Sequence, residues 1–258
     1  ADVLERAGEL IRSGELVAFP TETVYGLGAN AYLAESARKV YAAKGRPSDN
    51  PLIVHVNDSA DASLFAETNE TYEKLAKRFM PGPLTVILPK KDVIPDEVTG
   101  GLRTVAVRCP SNPIARELIR RSGVPIAAPS ANLSGKPSPT CAEHVMQDMD
   151  GRIAMVIDGG ECEIGLESTV IAVSGNSANV LRPGAVTPDM LRSAGIAVTV
   201  DEAVTDPAKA GSAPQSHEIQ ALRAEGGALP RRGRYGGAYR RRAFGRKPSL
   251  GDGGHVLR

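Results

Sequence analysis

The stretch from Leu16 to Ala31, LVAFPTETVYGLGANA, constrains the fold more than any other part of the chain. Its first four residues are apolar and predict a buried strand, and Pro20 then ends the ladder pairing before a Thr-Glu-Thr turn. Gly26 and Gly28 follow, and we expect them to let backbone N–H groups approach a ligand closely. The pattern therefore delivers polar side chains at the end of a buried strand.

A second stretch, KGRPSDNPLIVHV from Lys44 to Val56, has a similar arrangement. A helix is predicted before it, over about residues 34–43, and a strand from Leu52 to Val56 carries His55 near its end. Two cations, a cluster of hydroxyl groups and one histidine at strand ends suit a polyanion such as a nucleoside triphosphate. A Lys-Gly-Arg tripeptide taken alone is more typical of a solvated surface turn.

Short apolar runs alternate with helical patterns through the first 200 residues. Val3 to Arg12 carries an i, i+3, i+4 apolar stripe, which predicts a helix that ends at Gly14. Asp92 to Gly101 is predicted to be a polar loop, and Ser138 or Thr140 is predicted to cap a helix that ends at Met149. Further strands are predicted at about 84–88, 104–108, 124–128, 153–157 and 168–173, and further helices at about 60–80, 112–122, 138–149 and 187–192. The alternation predicts an α/β (α+β) fold, in which helices flank a twisted mixed β-sheet.

The composition changes near Val200. From Asp201 onward Pro, Ala and Gly dominate, and residues 223–258 hold ten of the 31 basic residues but two of the 30 acidic ones. The first 222 residues therefore carry a net charge of −7 and the remainder +8. We interpret residues 1–200 as one domain and residues 201–258 as a linker and a disordered basic tail. Arginine and tyrosine side chains in the tail can neutralise phosphate and stack on bases, so RNA is a further partner to consider.

Several classes of protein are disfavoured by simple patterns. No apolar run approaches ~18 residues and no charged leader precedes an apolar core, so we expect a cytoplasmic protein without a membrane span. Cys109, Cys141 and Cys162 have no CxxC spacing, which argues against a disulfide framework or a structural zinc site. The chain contains neither GxxxxGK[ST] nor GxGxxG, so the common nucleotide-binding folds are not supported.

Seven motifs in the first 200 residues resemble those of the threonylcarbamoyl-AMP synthase family. They are PTETVYGLGANA, KGRPSDNPLIVH, PGPLTVIL, TVAVRCP, APSANLSGKPSPT, GLESTVI and VLRPGAVT. The resemblance implies a YrdC-like fold with an open cleft lined by basic residues. It also implies the synthesis of L-threonylcarbamoyladenylate from L-threonine, bicarbonate and ATP with release of pyrophosphate. Mg²⁺ would accompany ATP, and a downstream transferase would place the threonylcarbamoyl group on the tRNA adenosine next to the anticodon.

The resemblance also assigns site residues, position by position. The threonine-binding positions are Thr23, His55, Arg108, the backbone of Ala128, and Ser168, and the ATP-binding positions are Arg46, Asn50, Thr104, Ser130, Ser138 and Arg182, with Lys44 and Asn132 beside them. The guanidinium fork of Arg108 suits the carboxylate of an amino acid. No residue is assigned as catalytic and no protein metal site is expected, because in-line attack on the α-phosphorus depends on positioning and electrostatics.

Alternative interpretations remain. A carbamoyltransferase of the hydrogenase-maturation type shares the implied fold, but those proteins carry CxxC zinc fingers and further large domains that this sequence lacks. A non-catalytic RNA-binding module of the same fold is the other alternative. The longer family members also have a KYRHYAP-like linker, and His217 to Gly226 can be encoded so that reading one base later gives MKYRHYAPKA. We therefore hypothesise that residues after about Ser216 are an off-frame remnant of that linker, which sequencing of the coding DNA would test.

Overall fold

A computed structural model of the protein describes residues 2–205 and 256–257. Its strands are β1 (Val17–Phe19), β2 (Gly26–Asn30), β3 (Ile53–His55), β4 (Leu84–Pro89), β5 (Thr104–Arg108), β6 (Ile126–Ala128), β7 (Met155–Ile157), β8 (Thr169–Ser174), β9 (Ser177–Arg182), β10 (Ala197–Val200) and β11 (Val256–Leu257). Its helices are α1 (Val3–Arg12), α2 (Ala34–Lys44), α3 (Glu70–Phe79), α4 (Asp96–Thr99), α5 (Pro113–Ser122), α6 (Ala142–Met149), α7 (Pro188–Ser193) and α8 (Glu202–Thr205), and Ser59–Leu64 forms a 3-10 helix. The predicted alternation of strands and helices is confirmed.

The strands form one mixed sheet in the order β10-β9-β8-β4-β5-β3-β6-β2-β1-β7-β11. The short strand β3 lies near its centre, parallel to β5 on one side and antiparallel to β6 on the other. In this register His55 is opposite Arg108 on β5 and Ile126 on β6. Two polar residues that are 53 positions apart in the chain are thus neighbours at one end of the central strands.

Side-chain alternation along the strands separates two faces of the sheet. Val105 and Val107 of β5 belong to the largest core cluster, which also holds Tyr72 of α3, so Arg108 points to the opposite face. On that opposite face one small cluster includes Ile126 and residues of α1 and α5, and another includes Leu181 of β9. His55 and Arg108 lie between these two clusters, because β3 and β5 stand between β6 and β9 in the sheet.

Helix signals in the sequence explain most helix ends. The Asn112 side chain accepts hydrogen bonds from the N–H groups of Ile114 and Ala115 at the start of α5, and Gly123 ends that helix at φ 66°. Thr187 caps α7 in the same way as Asn112, by accepting from the Met190 N–H. Among the described helices, none has the length and apolar character needed to cross a membrane.

Several local predictions are wrong. Gly28 lies inside β2, which was not predicted as a strand, and a Cβ atom there would come within 2.9 Å of the Phe19 ring. The predicted loop over 92–101 contains α4. Helix α6 begins at Ala142 with Cys141 at its N-cap, and the Ser138 hydroxyl donates instead to Glu167 at 2.7 Å. Strand β10, whose residues are half exposed, was not predicted.

The predicted linker and basic tail span residues 201–258, and the off-frame segment begins after about Ser216; residues 206–255 and Arg258 lie outside the described residues, whereas α8 and β11 lie within the predicted range. The domain boundary near Val200 therefore stays a prediction. Within the described part, β10 pairs with β9 in parallel and ends at Val200.

Candidate functional site

A cleft with about 560 Å³ of empty space opens at the end of the central strands. Three arginines are among the described residues that line it, so the predicted basic cleft is present in the structure. The lining residues are Thr21, Val24, Tyr25, Gly26, Arg46, Pro51, Ile53, His55, Arg108, Ala128, Pro129, Ser130, Glu167, Ser168 and Arg182.

Arg108, the last residue of β5, forms the buried end of the cleft with 4% of its side chain exposed. Its Nη2 donates to Glu22 Oε1 at 2.8 Å and to Thr21 Oγ1 at 3.4 Å. Its Nε is buried and has no hydrogen-bond partner among the described residues. A buried donor normally has a partner, so this N–H is suited to an anionic ligand in the cleft.

Glu22 holds Arg108 in place. Its side chain is 3% exposed, and Oε2 accepts a hydrogen bond from the Ser111 N–H at 3.1 Å. The turn that carries Glu22 is ordered by Thr21, whose Oγ1 accepts from the Val24 N–H at 3.2 Å and donates to the Val24 carbonyl at 2.7 Å. The Thr-Glu-Thr turn after β1 therefore supplies a fixed carboxylate to the arginine.

His55 is a neutral imidazole in this environment. Burial and the neighbouring Arg108 charge lower its pKa to about 3. Its Nδ1 lies 3.1 Å from the Ile53 carbonyl oxygen, and its ring meets the Phe19 ring edge-on at a centroid distance of 6.0 Å. A group with such a low pKa is a weak proton acceptor at neutral pH, so its position suits orienting a ligand better than removing a proton.

The opposite wall of the cleft is built around Arg182, the last residue of β9. Its Nη1 donates to Glu167 Oε2 at 2.5 Å, its Nε donates to the Ser168 carbonyl at 3.0 Å, and its Nη2 donates to Ser168 Oγ at 3.1 Å. The Ser168 hydroxyl lies 2.8 Å from that of Thr85, which is fully buried on β4. This network links the serine predicted to bind threonine with the arginine predicted to bind ATP.

Glu167 is a carboxylate that the sequence did not indicate as a site residue. Burial raises its pKa, but Arg182, the Ser138 hydroxyl, Arg46 and Lys44 together lower it below its ordinary value. Glu167 is therefore ionised at neutral pH, and it balances part of the positive charge in the cleft.

Lys44 lies behind the cleft and does not line it. Its side chain is 2% exposed, and its Nζ donates to the carbonyl oxygens of Ser130 and Asn132, the latter at 2.6 Å. Burial and the Arg46 charge lower its pKa to about 7. The resemblance made Lys44 a further neighbour of the ATP phosphates, and that role stays a prediction.

The cleft brings together seven of the predicted site residues, namely Arg46, His55, Arg108, Ala128, Ser130, Ser168 and Arg182. Thr23 is buried behind Thr21, and the two hydroxyls lie 2.9 Å apart. Thr104 begins β5, at the opposite end of the strand from Arg108. Asn50, Asn132, Ser138 and Lys44 also lie outside the lining. The ligand roles of all thirteen residues stay predictions.

Sequence reasoning missed Tyr25 as well as Glu22 and Glu167. The Tyr25 hydroxyl donates to the Gly160 carbonyl at 2.7 Å and accepts from the Gly159 N–H at 3.1 Å, and burial raises its pKa to about 12. A neutral phenol thus fastens the Asp158-Gly159-Gly160 turn to the cleft. The PTETVYG motif contains both Glu22 and Tyr25 and was the signal that could have found them. Within the described residues, no group of three or more His, Cys, Asp or Glu side chains is placed to hold a metal ion.

Comparisons with known proteins identify relatives of this chain. Residues 9–184 match the Sua5/yciO/yrdC family, described as "Telomere recombination". The threonylcarbamoyl-AMP synthase of Bacillus subtilis (strain 168) is 53% identical over 205 residues, which cover 79% of this chain and 59% of that protein. The threonylcarbamoyl-AMP synthase of Pyrococcus abyssi is 57% identical over 179 residues, covering 69% of this chain and 53% of the relative.

The fold has a close counterpart among solved structures. The crystal structure of P. abyssi Sua5 complexed with L-threonine superposes with a TM-score of 0.73 at 52% identity, and the match covers 76% of this chain and 58% of that one. The chain thus spans between half and three fifths of the length of these relatives. On the extent of these matches, the chain belongs to the Sua5/YciO/YrdC family of threonylcarbamoyl-AMP synthases.

Proposed function

We propose that this chain synthesises L-threonylcarbamoyladenylate from L-threonine, bicarbonate and ATP. The threonine amine and bicarbonate condense to a carbamate with loss of water. A carbamate oxygen then attacks the α-phosphorus of ATP, and the bond from that phosphorus to the leaving pyrophosphate breaks. The chain does not need a covalent nucleophile, because holding the two reacting groups in line supplies much of the acceleration.

The buried Arg108 is the observation that carries this proposal. Its guanidinium is fixed by Glu22, and its buried Nε has no hydrogen-bond partner among the described residues. A short carboxylate such as that of threonine fits a fixed guanidinium fork. The P. abyssi relative, at 52% identity, has been crystallised with L-threonine, which supports the same ligand here.

ATP is proposed to occupy the more open part of the cleft, near Arg46, Ser130 and Arg182. Two arginines there can balance the charge of the triphosphate, although the first 222 residues of the chain carry a net charge of −7. Mg²⁺ is proposed to enter with ATP and to keep phosphate and water ligands, as it usually does. Both carboxylates nearest the cleft, Glu22 and Glu167, are engaged by arginines.

The adenylate would be consumed by a transferase that acts on a tRNA adenosine next to the anticodon, and we propose a cytoplasmic location for both steps. The alternative of an RNA-binding module without catalysis rests largely on the basic tail, and most of that tail lies outside the described residues. The alternative predicts RNA binding and no consumption of ATP.

The purified full chain tests the proposal directly. Mass spectrometry should detect threonylcarbamoyl-AMP, and pyrophosphate release should require both threonine and bicarbonate. Arg108→Ala and Arg46→Ala should each reduce kcat/KM by roughly 30- to 1,000-fold, which corresponds to about 2 to 4 kcal/mol of lost charged contacts. Arg120→Ala removes an exposed arginine on α5 that pairs with Glu117 and should leave the rate unchanged. A wild-type chain that binds RNA but forms no adenylate would favour the alternative.

A further inference from the structure

Lys44 is a buried lysine that is held by carbonyl groups and not by an ion pair. It ends α2, its side chain is 2% exposed, and no carboxylate of the described residues lies within 4 Å of its Nζ. Its Nζ instead donates to the Ser130 carbonyl, to the Asn132 carbonyl at 2.6 Å and to Asn132 Oδ1 at 3.4 Å. An ammonium group has three N–H donors, so these three acceptors use all of them.

The acceptors belong to one segment, residues 130–136, which we call the 130–136 loop. The loop also returns a hydrogen bond to Lys44, because the Ser134 N–H donates to the Lys44 carbonyl at 2.9 Å. Within the loop, Asn132 Nδ2 donates to the carbonyls of Leu133 and Lys136 at 2.8 and 2.7 Å. Lys44 therefore contacts both the start and the middle of the loop.

A second attachment fixes the far side of the loop to α6. The Leu133 N–H donates to Asp148 Oδ2 at 3.0 Å, and Lys136 Nζ pairs with Asp148 Oδ1 at 2.5 Å. The Lys136 side chain is more than half exposed, so its ion pair with Asp148 contributes little to stability. Lys44 is the stronger of the two attachments, because it makes four hydrogen bonds with the loop from an almost fully buried position, whereas Asp148 makes two.

The loop reaches the cleft through Ser130. This residue lines the cleft and forms an isolated bridge with Gly26, which also lines it. If the carbonyls of Ser130 and Asn132 lost the ammonium, two buried acceptors would be without a donor, and the loop would move to satisfy them. The side chain of Ser130 would then leave its position facing the ligand.

We propose that Lys44 is a positioning residue, which holds the 130–136 loop so that Ser130 faces the nucleotide, and that it does not itself bind the phosphates. This inference rests on the proposed function for the identity of the ligand, but the attachment of the loop does not. A phosphate would have to displace loop carbonyls to reach the ammonium.

Hydrogen–deuterium exchange on the intact chain tests the attachment without any ligand. Lys44→Met should raise the exchange rate of backbone amides in the 130–136 loop by at least tenfold. Lys39→Met is the matched control, because Lys39 lies on the same helix and loses two hydrogen bonds of its own, to the Gly14 carbonyl and to Glu15. The control should leave exchange in the loop unchanged. Should Lys44→Met fail to fold, Lys44→Gln keeps an amide donor and should show a smaller change in the same direction.

A double-mutant cycle tests how Lys44 acts on the nucleotide. Calorimetry should show that Lys44→Met and Ser130→Ala each weaken ATP binding by at least tenfold. The double variant should be no weaker than the weaker single variant, within about twofold, because both changes remove the same contact. Effects that multiply, together with unchanged exchange in the loop, would overturn the proposal and make Lys44 a direct phosphate ligand.

The two proposals can fail separately. A wild-type chain that neither binds ATP nor forms the adenylate would refute the proposed function. The exchange comparison between Lys44→Met and Lys39→Met would still decide whether Lys44 holds the loop.

Discussion

The cleft has two walls, and each is built on an arginine paired with a glutamate. The Arg108–Glu22 pair is almost fully buried, with 4% and 3% of the side chains exposed and an N–O distance of 2.8 Å. The Arg182–Glu167 pair is 20% and 30% exposed at 2.5 Å. Glu22 follows β1 and Glu167 precedes β8. The Glu22 carboxylate is almost fully buried, whereas the Glu167 carboxylate is partly exposed to solvent.

Because the two arginine–glutamate pairs differ in burial, we expect them to suit different parts of the substrate. A buried pair cannot rearrange without leaving an uncompensated charge, so the Arg108 wall is a fixed template for a small, invariant anion. The Arg182 wall is partly solvated, where ion pairs are weaker and exchange partners more easily, and this suits a flexible triphosphate. The comparison therefore connects the exposure of each pair with the part of the substrate it is proposed to bind.

The largest expected effect on stability comes from removing the glutamate of the buried pair. Glu22→Ala leaves Arg108 unpaired in a dry site and should lower the free energy of unfolding by roughly 3 to 5 kcal/mol. Glu167→Ala, the matched change on the other wall, should lower it by about 1 kcal/mol or less. Urea unfolding of both variants measures the difference. Equal losses would show that the two pairs do not differ in the way their exposure implies.

A second effect concerns the pH at which each wall loses stability. His55 has a pKa of about 3 in the folded chain, below its ordinary value of 6.5, so the unfolded chain binds an additional proton between these two pH values. Stability should therefore fall as the pH drops below about 6.5, by up to about 1.4 kcal/mol per pH unit from this residue. His55→Asn should remove that component of the slope.

The other wall should respond in a lower pH window. The pKa of Glu167 is below its ordinary value, so its stabilising contribution is complete above that value and is lost only as the pH falls through the folded pKa. Unfolding measured between pH 5 and 6.5 thus isolates the Arg108 side. If wild type and His55→Asn gave parallel stability curves there, the assignment of a neutral imidazole would be wrong.

The smallest expected effect on stability comes from removing the hydrogen bond between Thr85 and Ser168, which supports the Arg182 wall. Thr85→Val keeps the shape of a fully buried side chain but removes the hydrogen bond to Ser168, and should lower the free energy of unfolding by about 1 kcal/mol. Thr199→Val, which alters an exposed threonine on β10, should change it by less than about 0.5 kcal/mol. Thermal or urea unfolding can resolve the two. No difference between them would mean that the Thr85 hydroxyl contributes nothing to the Arg182 wall.

Local patterns in the sequence predicted much of the fold. Strand β5 was predicted at Thr104 to Arg108 as observed, because its alternation is regular, and α5 was predicted at about residues 112–122, close to its observed bounds. Strand β10 was missed because its half-exposed residues give no apolar run. The start of α6 was misplaced because the Ser138 hydroxyl is used by Glu167, a partner 29 residues away.

The cleft was predicted less completely, for a physical reason. The three arginines were assigned from the family resemblance, but the roles of Glu22 and Glu167 depend on which arginine faces them. Glu22 meets Arg108 across 86 residues of chain, and this pairing depends on the assembled sheet, in which β3, β6 and β2 lie between β5 and β1. Lys44 is a different case. Its charge suggested a phosphate ligand, but its side chain is buried and its Nζ donates to the backbone carbonyls of Ser130 and Asn132.

The strand order has a consequence for how the protein is made. Thr21 lines the cleft from just after β1 and Arg182 lines it from the end of β9, so the binding surface spans most of the described chain. During translation the complete cleft therefore forms only after Arg182 has left the ribosome. The proposed ligands, ATP and threonine, would therefore stabilise the finished domain and not the earlier stages of its synthesis.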